Sequence, residues 1–145
     1  MTRLAKLALA SALTIAAAGA AFAESAHRLA IHVDQNDPAV MNLALNNVKN
    51  LQAYYKQKGE TVELEVVTYG PGLNMLLAES PVKDRISAMA MEADNVHFSA
   101  CANTMAGIEK KTGKKPELLS EAKVVPSGVV RLVELQEQGY SYIKP

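Results

Sequence analysis

The chain has no tryptophan, a single cysteine at position 101, an aromatic content of only 5 % and no excess of either charge among its 145 residues. One cysteine excludes an internal disulfide, so the stability of the domain must come from packing. The shortage of aromatic rings weighs against a binding surface built on stacking. Balanced charge excludes a nucleic-acid binder of the usual kind, which needs a basic stripe along one face. The one basic cluster, Lys110, Lys111, Lys114 and Lys115, falls at an expected helix end, where the helix dipole favours cations in a solvated terminus.

A membrane-spanning run of about 20 apolar residues is also missing. The apolar stretch from Leu7 to Ala18 is too short, but it follows Arg3 and Lys6 and ends in Ala21-Phe22-Ala23. A basic start, a short apolar centre and a small-x-small ending predict a signal peptide over residues 1–23, cut after Ala23. The expected mature protein is therefore periplasmic, without a membrane span after cleavage. The leader holds two of the fifteen basic residues and none of the acidic ones, which leaves a formal charge of −2 on residues 24–145. That length suits a single domain.

Hydrophobic periodicity alternates between strand and helix through the rest of the chain. Leu29–Val33 is expected as a first strand, followed by a helix begun by Asp37-Pro38 and stopped by Gly59. Val40, Leu43, Ala44, Val48, Leu51 and Tyr55 are its expected inward stripe. Thr61–Tyr69 alternates and then becomes continuously apolar or β-branched, as a strand entering the middle of a sheet does. Gly70-Pro71-Gly72 breaks it, a short helix is expected over Leu73–Ala78, and Ser80-Pro81 starts another whose inward face is Val82, Ile86, Met89 and Ala93. Further strands are expected at Val96–Ala100, Lys123–Val125 and Tyr140–Ile143, with helices at Asn103–Thr112 and Ser127–Gln138. Strands separated by helices predict a three-layer α/β/α domain around a parallel sheet.

In such sheets reactive groups gather at the carboxyl ends of the strands. Those ends fall at Asp34–Asp37, Tyr69–Gly72, Cys101–Thr104 and Pro126–Gly128. Cys101 is expected in the turn before a helix, where free amides and the positive end of the dipole favour a thiolate. His97 shares its strand face and is the one histidine expected near the sulfur, since His32 lies on the first strand and His27 precedes it. No spacing supports a hydrolytic triad. Tyr69, Gly70, Pro126, Ser127 and Gly128 are candidates to line the site, either as plain turns or as places where backbone approaches a ligand. Asp37 is better explained as a helix cap than as half of a carboxylate pair with Asp34. Met89, Met91, His97, Cys101 and Met105 are soft or borderline ligands close in sequence, but no recognised spacing supports a copper site, and methionine is a common core filler. No cofactor and no metal are expected.

The run VHFSACANTM through VVPSGVVRLVELQEQGYSYIKP, with VTYGPGLNMLL before it, resembles the DsrE/DsrF-like family over about Leu29–Ile143. The resemblance rests on Cys101-x-Asn103-Thr104, on a V-P-x-G-V helix start and on Q-x-x-G-Y. It implies a five-stranded parallel α/β/α fold, a homo-oligomer (trimer or hexamer), and Cys101 as a carrier of persulfide sulfur between donor and acceptor proteins. It assigns no chemistry to Asn103 or Thr104. The sulfur-relay members of the family work in the cytoplasm, whereas this chain carries an apparent leader. The residues alone leave a second reading open, an oligomeric binding or structural module in which Cys101 is merely packed.

Overall fold

The computed structural model describes residues 26–145, and the expected leader lies outside them. Five strands are present: β1 (Ala26–Val33), β2 (Thr61–Thr68), β3 (Val96–Cys101), β4 (Ala122–Val125) and β5 (Ser141–Ile143). All pair in parallel, in the order β4-β3-β2-β1-β5. Four α-helices connect them: α1 (Pro38–Lys58), α2 (Lys83–Glu92), α3 (Ala102–Thr112) and α4 (Gly128–Glu137).

The strand order decides which helix lies on which face. From β1 to β4 every step moves one place in the same direction. Right-handed crossovers therefore put α1, α2 and α3 on one face. The last connection runs back across the whole sheet to β5, so α4 must lie on the other face. The packing agrees. Ile31, Val33, Leu64, Val66, Phe98 and Ala100 point into the large core with Met41, Leu45, Val48, Ile86 and Met105 from the three helices. Ala30 and Val67 point the opposite way, onto Leu132 and Leu135 of α4.

Local chemistry sets the boundaries. Asp37 caps α1 by accepting the Ala39 N–H at 2.8 Å, Pro38 opens it, and Gly59 ends it at φ 69°, a left-handed backbone that glycine adopts without penalty. The inward stripe of α1 includes the expected Ala44 and Val48 but is centred on Met41 and Leu45, while the expected Leu43 stands 46 % exposed. Both stripes follow helical spacing. The structure uses the one that centres Met41 and Leu45, while Val40, Leu51 and Tyr55 pack at its rim. The segment after β2 is a 3-10 helix over Gly70–Leu76, earlier than the short helix expected at Leu73–Ala78. Close approach explains the glycine there: a Cβ on Gly72 would lie 2.1 Å from the Val33 carbonyl oxygen. Among the described residues no helix is long and apolar enough to cross a membrane.

Candidate functional site

Cys101 is at once the last residue of β3 and the N-cap of α3. A strand that ends where a helix begins gives its final side chain both an extended backbone (φ −74°, ψ 116°) and the unpaired amides of the first helical turn. The Thr104 N–H donates to the sulfur at 3.4 Å. The Asn103 amide, the Thr104 hydroxyl and the Gly128 amide lie near enough to the sulfur to favour its anion. Gly128 opens α4, so the start of a second helix lies beside the same thiol. Burial pushes the Cys101 thiol up, but the donors outweigh burial and hold it below the ordinary thiol value. The residue is only 4 % exposed.

Three loops interlock to hold this arrangement. The Thr104 hydroxyl accepts the Gly70 N–H at 2.9 Å, which ties the loop after β2 to the first turn of α3. Gly128 sits against the Tyr69 ring so closely that a Cβ would lie 2.7 Å from Tyr69 Cδ1, and this contact ties the same loop to the start of α4. The structure thus brings Cys101, Thr104, Tyr69, Gly70 and Gly128 together. Asn103 contributes its amide, and its side chain is exposed. Pro126 and Ser127 line an adjoining groove of about 540 Å³ between α4 and the β3–β4 edge.

His97 is not brought to the sulfur. It shares a sheet face with Ser99 and Cys101, yet it is half exposed and its Nε2 pairs with the Glu63 carboxylate toward the other end of the sheet. The alternation of side chains was legible in sequence. The strand rise between residues 97 and 101, four residues at about 3.3 Å each, is what separates the two groups. The soft ligands do not converge either: Met89 and Met105 fill the core, while Met91 is 88 % exposed. Among the described residues no three His, Cys, Asp or Glu side chains are gathered to hold a metal.

Two features escaped the sequence reading. Glu65, 3 % exposed at the middle of β2, receives a fork from Arg131 of α4, Nε to Oε1 and a terminal nitrogen to Oε2, both at 2.7 Å, and Ser99 donates to Oε1 at 2.6 Å. Burial pushes the Glu65 carboxyl up, but the Arg131 and Ser99 bonds win and hold it below the ordinary value. The available signal was the second acid of β2, Glu65, set among the apolar residues Leu64, Val66 and Val67. The other feature is His32, 4 % exposed near the end of β1. Its Nδ1 meets the Tyr142 hydroxyl at 2.8 Å and its ring stacks on Tyr69 with centroids 4.5 Å apart. Nothing in β1 alone announced this, because Tyr69 and Tyr142 arrive from β2 and β5.

A capped thiol at the carboxyl edge of a wholly parallel sheet, with helices on both faces, defines the class: a small α/β domain with a single cysteine at its sheet edge. The profile of the DsrE/DsrF-like family matches residues 5–145, and the chain belongs to that family, one of sulfur-relay type. Its fold is similar to the solved structure of a protein of unknown function from Methanobacterium thermoautotrophicum. That structure is 34 % identical, with a TM-score of 0.71 over 82 % of this chain and 99 % of the other. No curated protein matches the chain.

Proposed function

We propose that this protein is an exported sulfur carrier in which Cys101 takes up a sulfane sulfur as a persulfide and passes it to an acceptor. The observation that carries the reading is Cys101 capping the start of α3 with the Thr104 N–H on its sulfur, which favours the anionic form of the thiol. In the loading step the Cys101 thiolate attacks the outer sulfur of a donor persulfide. A sulfur–sulfur bond forms to Cys101, the donor's own sulfur–sulfur bond breaks, and the donor departs as a thiolate. The reverse exchange on an acceptor thiol unloads the carrier. No cofactor enters either step. Donor and acceptor are proteins or small thiols, and the working location is the periplasm.

A homo-oligomer belongs to the same reading. Val129, Val130 and Val133 stand 50 to 56 % exposed on the outward side of α4, and a second copy of the chain is the proposed cover.

The test is the intact mass of reduced residues 24–145 after brief exposure to a persulfide donor, with Cys101→Ser alongside. One added sulfur on the native chain and none on the variant is the expected result. Loading of the variant would sink the reading. The burial of Cys101 favours a second reading, a binding module with a packed cysteine, and a thiol closed to both sulfur and alkylation would establish that one instead.

A further inference from the structure

His32 is buried with one ring nitrogen unprovided for. Nδ1 is paired with Tyr142, whereas Nε2 has no hydrogen-bond partner and no solvent contact. Its nearest charged neighbour is Asp34 Oδ2 at 4.0 Å, which already accepts Lys144 Nζ at 2.6 Å. At that separation either neutral tautomer leaves Nε2 unsatisfied, as an orphan donor or as a lone pair facing a carboxylate. A shift of about 1 Å by the partly exposed Asp34 side chain would let Nε2–H donate to the carboxylate, in the neutral Nε2–H tautomer with Nδ1 accepting from the Tyr142 hydroxyl, and in the imidazolium with Nδ1 donating to it; the imidazolium alone makes that contact an ion pair. Burial opposes that state, and so does the Lys144 cation, while the Asp34 carboxylate favours it.

The ring's other contact leads to the thiol. His32 stacks on Tyr69, Tyr69 packs on Gly128, and the Gly128 amide lies near the Cys101 sulfur. Tyr69 also lies within electrostatic reach of Asp34, Tyr142, Lys144 and Cys101 together. These are the titratable groups around the histidine: Asp34 follows β1, Tyr69 follows β2, Tyr142 lies on β5 and Lys144 follows it.

We propose that His32 is a positioning residue for Cys101, fixing Tyr69 against Gly128, and that a proton taken up at Nε2 toward Asp34 raises the reactivity of the thiol in acid. The inference rests on the reading of Cys101 as the working thiol. A cation behind Tyr69 favours the thiolate, so the reactive fraction falls less steeply with acidification than for an isolated thiol, which loses a factor of about ten per pH unit.

The experiment follows the rate of Cys101 with methyl methanethiosulfonate from pH 4 to 8, in the native chain, in His32→Gln and in Asp34→Asn. Because burial depresses the His32 titration below 6.5, the native profile is expected to show a shoulder beneath that pH. His32→Gln should lose the shoulder and react about three- to tenfold more slowly at the acid end. Asp34→Asn, a half-exposed change that spares the core, should move the shoulder to lower pH, because it removes the carboxylate that favours the imidazolium. The imidazole proton resonances of His32 report its titration directly in the native chain and in Asp34→Asn. Superposed profiles in all three proteins would overturn the proposal and leave the sulfur-carrier reading standing. A thiol closed to the reagent at every pH would overturn both.

Discussion

The two faces of the sheet are built from different chemistry. On the side of α1, α2 and α3 the strands present Ile31, Val33, Leu64, Val66, Phe98 and Ala100 to an apolar core. On the side of α4 the same strands present His32, Glu65, Ser99 and Cys101, and a small apolar cluster of Ala30, Val67, Leu132 and Leu135, with Tyr69 and Tyr140 at its rim. Every buried titratable side chain among the described residues, His32, Glu65 and Cys101, belongs to this second face. The contrast teaches a division of labour. Three helices and an apolar face supply the folding free energy, which leaves the face under a single short helix able to hold groups that burial alone would reject.

The strongest way to break this comparison is to remove Arg131. Arg131→Ala leaves Glu65 buried without its cation and should cost about 3 to 5 kcal/mol at neutral pH in urea denaturation. Glu65→Met combined with Arg131→Leu should restore most of that, because an apolar pair avoids the desolvation of two charges. If the single variant loses less than about 1 kcal/mol, the ion pair does not hold α4 down, and the second face is less polar in its energetics than in its composition.

Acid should separate the faces next. His32 is held below its unfolded value of 6.5, so as pH falls through 6.5 the unfolded chain takes up a proton that the folded chain refuses, and stability declines until His32 itself is protonated. Glu65 is held below 4.5, so its contribution is present above that pH and is lost as pH falls through its folded value. Both losses fall on one face. Hydrogen exchange at pH 4 should therefore release α4 amides well before those of α1, while at pH 7.5 the difference is smaller. Equal release of the two helices at acid pH would show that the sheet transmits the loss to both sides.

The smallest effect on stability is expected on the outside of α4. Val129→Asp with Val133→Asp should change the stability of the isolated chain by no more than about 0.5 kcal/mol per site, since both side chains are already half exposed. The same pair should lower the mass in sedimentation if a second copy covers that surface. An unchanged mass would remove these valines from any interface.

Much of this architecture was legible before the structure. The alternation of strand and helix, the caps at Asp37 and Gly59, and the continuous burial along β2 follow from short-range patterns, and each element stands within a few residues of its expected place. Cys101 at a strand end before a helix was likewise a local inference. What stayed hidden depends on partners distant in sequence. Glu65 and Arg131 are 66 residues apart, and His32 and Tyr142 are 110 apart. The inward stripe of α1 was shifted in part for a related reason: Met41 and Leu45 join Ala44 and Val48 where Leu43 was expected, because the sequence supports two overlapping apolar stripes and only the sheet beneath selects between them.

The sequence by itself determined a parallel α/β domain with one thiol at the carboxyl edge of its sheet, because periodicity, capping and turn chemistry act over a few residues and need no knowledge of the rest. Only the tertiary structure decided that the last crossover returns across the whole sheet and lays α4 alone on the second face. That one connection brings the Gly128 amide near the sulfur, the Arg131 guanidinium to Glu65, and β5 with Tyr142 beside His32. The physical reason is handedness: a right-handed crossover reverses faces when the direction of travel along the sheet reverses, and strand order is not written in any local pattern.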